Sequence, residues 1–207
     1  MDAKICGIKD AKTLNYIINH NHPPKFIGFI TNYPKSKRYI EHESLKKLID
    51  LNKKKINFVS VLVNPNNETL EKIKDLNFDY YQLYDVDPEK TALIKEKYKI
   101  KIITALTIEN KSDVEKYKKF ESISEIILFD SKGYEKSVGF DHQLLNNVPT
   151  KVSKMLAGNI QYNDRLDKYS KIADIIDISG SLETSGEKDI SKIKIFLKNI
   201  SKIKNEN

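Results

Sequence analysis

Two side chains in this sequence stand where proton-transfer chemistry could be done. Cys6, the only cysteine among 207 residues, closes the run Lys4-Ile5-Cys6, and Asp130 closes the run Ile126-Ile127-Leu128-Phe129-Asp130. Side chains alternate along a strand. If Ala3 and Ile5 face one way, Lys4 and Cys6 face the other, and the same count puts Ile126, Leu128 and Asp130 on one side. A thiolate and a protonated carboxyl meeting one substrate could take a proton from carbon and give one to oxygen, as an aldose-to-ketose rearrangement demands. The thiol would have to ionise, and Lys4 below it would lower its pKa. Taken singly, Cys6 also reads as a small core residue and Asp130 as a strand-end cap.

Such residues need a scaffold that brings strand ends together. Short β-branched runs recur through the chain with helical patterns between them, the mark of βα units and a parallel sheet. Eight strands are predicted, at Ala3 to Ile8, Phe26 to Ile30, Asn57 to Val63, Tyr80 to Leu83, Lys101 to Leu106, Glu125 to Asp130, Ser153 to Ala157 and Asp174 to Ser179. Between them, Leu14, Ile17 and Ile18; Leu45, Leu48 and Ile49; Leu70 and Ile73; and Leu93 and Ile94 are spaced to give helices one apolar face each. Asp87-Pro88 reads as an N-cap followed by proline at the first helical position. Ile190, Ile193, Phe196, Leu197, Ile200 and Ile203 make the last stripe, before a fraying tail at Asn205-Glu206-Asn207.

Eight βα units can close into a barrel or stay open and doubly wound. An open nucleotide-binding fold should carry a glycine-rich turn after its first strand, but Cys6-Gly7-Ile8-Lys9 offers one glycine. Small residues gather instead after strands seven and eight, at Ala157-Gly158-Asn159 and Ser179-Gly180-Ser181. Barrels hold phosphate there with backbone N–H groups. The expectation is a single (β/α)8 TIM barrel over residues 1–207 with a phosphorylated small-molecule ligand.

Composition sets the class. With 39% hydrophobic and 31% charged residues the chain matches a globular protein rather than a disordered one. No stretch approaches a membrane span, the N-terminus has no secretory pattern, and one cysteine allows no internal disulfide, so the expected address is cytoplasmic. The net charge of +7 raises nucleic acid as a partner. Only Arg38 and Arg165 among the 36 basic residues are arginine, and the lysines are scattered among acids, which points to a solvated surface and no nucleic-acid partner. His20, His22, His42 and His142 lack metal-ligand spacing, so no metal is expected.

Lys4-Ile5-Cys6-Gly7-Ile8, Gly28-Phe29-Ile30 with Ser36-Lys37-Arg38, Val61-Leu62-Val63-Asn64, Tyr81-Gln82-Leu83, Ile127-Leu128-Phe129-Asp130-Ser131, Phe140-Asp141, Leu156-Ala157-Gly158, Asp177 to Glu183 and Gly186-Glu187-Lys188-Asp189 follow one another in an order. That order resembles the phosphoribosylanthranilate isomerases, over residues 4 to about 197. The resemblance implies an Amadori rearrangement of N-(5-phosphoribosyl)anthranilate without cofactor or metal. It makes Asp130 the general acid at the furanose ring oxygen, Cys6 the base at C2, Arg38 the clamp on the anthranilate carboxylate, and Gly158, Asn159, Gly180 and Ser181 the phosphate cradle. Arg38 could also be a surface ion pair. Departures are visible: Tyr84 replaces the family's histidine at a substrate-binding position, Asn159 replaces a glycine, Gly180-Ser181 inverts a Ser-Gly, and the loop Lys132 to Gly139 is charged and bulkier. The rival readings are another phosphosugar-binding barrel enzyme, or a catalytically degenerate basic barrel that acts as a binding module; a monomer or homodimer is expected.

Overall fold

A computed structural model describes residues 1–132 and 139–205. Residues 133–138 of the loop after the sixth strand, and positions 206–207 of the expected tail, lie outside the described residues. The eight strands are β1 (Asp2–Cys6), β2 (Phe26–Ile30), β3 (Asn57–Val63), β4 (Tyr80–Tyr84), β5 (Lys101–Ile108), β6 (Ile126–Ser131), β7 (Lys154–Leu156) and β8 (Ile175–Ile178). Each pairs in parallel with its neighbour, and β8 returns to β1 to close the barrel. The expected barrel is therefore present, with every strand end within two residues of the predicted one. β7 and β8 each lose two residues, and β7 is left with three.

The core has two parts because alternate side chains point to opposite faces. Ala3, Ile5, Ile27, Phe29, Phe58, Leu62, Ile127 and Phe129 pack outward against the helices. Phe26, Val59, Val61, Ile103, Ala105, Ile126, Leu128, Met155 and Ile175 fill the interior, with Cys6, Tyr84 and Ala157 at its upper rim. The β1–β2 and β1–β8 registers set Lys4 beside Phe26 and Asp177, and Cys6 beside Gly28.

Helices α1 (Ala11–Ile18), α2 (His42–Ile49), α3 (Asn67–Ile73) and α4 (Pro88–Tyr98) follow the first four strands. Three start on side-chain caps: Asp10 accepts from the Thr13 N–H, Asn66 from Thr69 and Asp87 from Lys90. The Asp87-Pro88 start is thus as expected. The helix face assigned to Leu93 and Ile94 is not. Thr91 and Ile94 are the buried pair of α4, and Leu93 is 65% exposed. Thr91 can be buried because its hydroxyl donates to the Asp87 carbonyl at 2.7 Å, so its polar atom is satisfied.

After β5 the helical pattern shrinks to α5 (Lys111–Val114) and a 3₁₀ turn at Glu115–Lys119. After β6 and β7 only 3₁₀ turns remain, His142–Asn147 and Leu166–Tyr169. Pro149 stands just beyond the first of these, where it bars extension of the turn into a longer helix. The long last helix, α6 (Ile190–Asn205), buries Ile193, Phe196, Leu197, Ile200 and Ile203 as its stripe predicts and reaches Asn205, the first residue of the expected tail. A two-stranded hairpin, β9 (Glu183–Thr184) and β10 (Glu187–Lys188), leads from β8 into it.

Candidate active site

The C-terminal ends of the strands surround a cavity of about 400 Å³. Its lining includes Cys6, Arg38, Tyr84, Asp130, Gly158, Asn159, Gly180 and Ser181. All eight residues singled out in the sequence therefore meet in one place. Tyr33, Ser36, Gln161, Asp177 and Ser179 line it too. Of these, Asp177 was legible: the alternation count applied to Cys6 and Asp130 also points it inward on β8.

Below the thiol lies a buried ion pair. Lys4, fully buried, donates to Asp177 Oδ2 at 2.7 Å, and the second Asp177 oxygen has no partner among the described residues. Gly28 makes the room. A Cβ there would stand 2.8 Å from Cys6 Sγ and 3.2 Å from Lys4 Nζ. The expectation that Lys4 would leave the thiol with a lowered pKa is corrected here: burial pushes the Cys6 thiol up, Lys4 pulls it down less strongly, and Asp177 works against Lys4. A lysine already paired with a carboxylate presents little net charge to its other neighbour.

Asp130 is the complementary case. Burial raises its carboxyl from the ordinary 3.8 to about 6, although the Tyr84 hydroxyl and the Ser131 N–H both hold its charged form. The Tyr84 hydroxyl donates to Oδ2 at 2.8 Å and the Ser131 N–H to Oδ1 at 2.8 Å. A carboxyl near pKa 6 is matched to giving up a proton close to neutral pH.

Arg38 is reached from the segment after β2, over a close approach at Gly7, whose φ of +77° and 2.5 Å gap from a built Cβ to Arg38 Cδ exclude any side chain. Its guanidinium is held by both Glu183 oxygens, Nε to Oε1 and Nη2 to Oε2 at 2.9 Å. Glu183 also accepts from the buried Lys188 at 2.8 Å. Arg38 is thus an ion-pair residue, but one at the cavity wall with Glu183 fixing its plane. Glu183 carried no separate signal in the sequence, because its partner Arg38 lies 145 residues away, and Lys188 pairs with Glu183 rather than with Arg38.

Gly158, which lines the same cavity as Arg38, adopts φ +96° with Ser131 packed against it, and Asn159 adopts φ +56°. Asparagine tolerates this left-handed conformation better than most residues, which is how the turn survives the loss of a glycine. Gly180 opens the short 3₁₀ turn Gly180–Leu182, whose first N–H groups have no acceptor within the turn. Ser181 Oγ is buried and has no partner among the described residues. Together these make an anion-receptive corner next to an acid and a thiol.

A closed parallel barrel with titratable groups and an anion corner at its C-terminal mouth defines a (β/α)8 enzyme. The family model for "N-(5'phosphoribosyl)anthranilate (PRA) isomerase" matches residues 3–199. The chain belongs to that family. The N-(5'-phosphoribosyl)anthranilate isomerase of Thermoanaerobacter pseudethanolicus is 31% identical, over 97% of this chain and 98% of the relative. The phosphoribosyl anthranilate isomerase of Thermotoga maritima superposes with a TM-score of 0.85 at 26% identity, covering 98% of this chain and 99% of that one. Another solved isomerase of this kind, in complex with reduced 1-(o-carboxyphenylamino)-1-deoxyribulose 5-phosphate, gives 0.83 at 25% identity with the same coverage.

Proposed function

We propose that this chain isomerises N-(5'-phosphoribosyl)anthranilate to 1-(o-carboxyphenylamino)-1-deoxyribulose 5-phosphate, a step of tryptophan biosynthesis, by acid–base chemistry of its own side chains. The observation that carries the reading is one cavity holding a carboxyl of pKa about 6, a buried thiol and an anion corner. The phosphate sits against the N–H groups of Gly158, Asn159, Gly180 and Ser181, which fixes the sugar over the mouth. Arg38, with its plane set by Glu183, takes the anthranilate carboxylate. Asp130 gives its proton to the furanose ring oxygen. The ring C–O bond breaks as the anthranilate nitrogen donates its electron pair, leaving an open-chain Schiff base. The Cys6 thiolate then removes the C2 proton, and the C–H electrons flow towards the iminium nitrogen to give an enolamine. Tautomerisation yields the ketone.

The ligand class needs neither metal nor cofactor for these steps. A cytoplasmic enzyme acting as a monomer or homodimer, on a small phosphorylated molecule rather than on nucleic acid, completes the proposal. No helix among the described residues is long and apolar enough to cross a membrane. The test is the loss of phosphoribosylanthranilate fluorescence on adding purified protein, repeated with inorganic phosphate. Turnover that millimolar phosphate inhibits competitively supports the assignment. Absence of turnover, with salt-dependent retention on a polyanion, favours a degenerate basic barrel instead.

A further inference from the structure

One polar column inside the barrel is not accounted for by the roles above. Gln82, fully buried on β4, donates from Nε2 to the Tyr84 hydroxyl at 3.3 Å, and that hydroxyl in turn donates a hydrogen bond to Asp130 Oδ2 at 2.8 Å. With the Ser131 N–H on Oδ1, both oxygens of the carboxyl are met by donors. Donors on both oxygens suit a carboxylate rather than an acid. We propose that Tyr84 is a positioning residue for the general acid: it orients the Asp130 carboxyl towards the cavity and stabilises the anion that remains once the proton has been given away.

This inference rests on the acid role assigned to Asp130 and goes beyond it, since it gives Tyr84 a task on the enzyme's own carboxyl rather than on the substrate. Among the described residues, the titratable side chains acting on Asp130 are Tyr84 from β4, Asp177 from β8 and Lys4 from β1, while Cys6 from β1 acts on Tyr84. β5 offers Thr107 as the register partner of Asp130, and Val61 of β3, Ala105 of β5 and Ala157 just beyond β7 carry no charge. Asp177 opposes the anion and is itself held by Lys4, so the Tyr84 hydroxyl is the side-chain donor to the carboxyl. A hydrogen bond to the charged form lowers an acid's pKa, and the Tyr84 bond acts in that direction here.

The experiment is a carbon-13 NMR titration of the Asp130 carboxyl, assigned by its absence in Asp130→Asn, in the wild type and in Tyr84→Phe. It reads the carboxyl without requiring turnover, so its outcome is separable from that of the substrate assay. The ring of phenylalanine fills the same space, and matched melting temperatures establish that the fold is kept. The Asp130 midpoint is expected near pH 6 in the wild type and about one pH unit higher in Tyr84→Phe, the equivalent of one charged hydrogen bond. On phosphoribosylanthranilate at pH 5, where the carboxyl is protonated in both proteins, kcat should fall about tenfold with KM within twofold, and Tyr84→His, which restores a donor, should bring the midpoint back down. An unmoved midpoint in Tyr84→Phe would overturn the proposal, and so would a loss seen only in KM.

Discussion

The opposed environments of Asp130 and Cys6 have a kinetic consequence that Asp130→Asn exposes. Asp130 holds its proton up to about pH 6, while the thiol ionises above its ordinary value of 9.0. The productive form needs the reverse of what these affinities favour, a protonated carboxyl with an ionised thiol. The two midpoints lie far apart, so only a small fraction of the free enzyme has that form, and the fraction is constant at any pH between them. Below about pH 6 the acid is fully protonated and kcat/KM climbs tenfold per pH unit with the thiolate. Above it each gain in thiolate is offset by an equal loss of protonated acid, and the profile stays level until the thiol itself titrates. The break near pH 6 therefore belongs to the acid, although the rate rises towards it. Asp130→Asn should lower kcat at least ~100-fold. It should also erase the break, so that residual activity keeps climbing through neutral pH. A profile of kcat/KM from pH 5 to 10 for both proteins, beside the rate of Cys6 alkylation by iodoacetamide over the same range, checks both halves. An alkylation midpoint below pH 7, or a break near 6 that survives in Asp130→Asn, would refute the reasoning.

The same carboxyl should make Asp130→Asn more stable: its folded pKa lies above the unfolded one, so stability is complete below about pH 3.8 and lost as pH rises through about 6. Removing that penalty should gain about 2 to 3 kcal/mol at pH 7, read in urea unfolding, and no gain at pH 3.5. Cys6→Ala should cost at least ~100-fold in kcat with the melting temperature kept, and Cys6→Ser nearly as much, because a hydroxyl supplies almost no anion near neutral pH. Gly28→Ala places a methyl 2.8 Å from the thiol and should cut kcat steeply while leaving phosphate inhibition as it was; unchanged kcat would mean the thiol position is unimportant. Arg38→Met should raise KM more than it lowers kcat, since a grip on a distant carboxylate is made in ground and transition states alike, and an unmoved KM would confine Arg38 to its pairing with Glu183.

The barrel was readable because its evidence is local. Each β-branched run carries its own period, and alternation from Ala3 and Ile5 was enough to aim Cys6 inward. Leu93 was misread because hydrophobicity was taken for burial: the neighbouring Ile94 and the self-satisfied Thr91 already fill the face towards the sheet. No apolar stripe is named after β5, β6 or β7, and only the four-residue α5 and 3₁₀ turns form there. The thiol's pKa failed for a different reason. Lys4 is visible beside Cys6 and alternation on β8 aims Asp177 inward, but the two are 173 residues apart and nothing local pairs them. A separation of 145 residues likewise hid Glu183 behind Arg38.

The sequence distance from Lys4 to Asp177 matters during synthesis as well. The ammonium of Lys4 emerges among the first residues of the chain, and its counter-ion Asp177 follows 173 residues later, a wait of roughly ten to thirty-five seconds at translation rates of ~5–20 residues per second. Until then a ring shut around Lys4 lacks the carboxylate that takes its ammonium at 2.7 Å, and a buried charge without its hydrogen-bonded partner costs several kcal/mol. Closure by six or seven strands should therefore be disfavoured, because β8 is the strand that brings that partner.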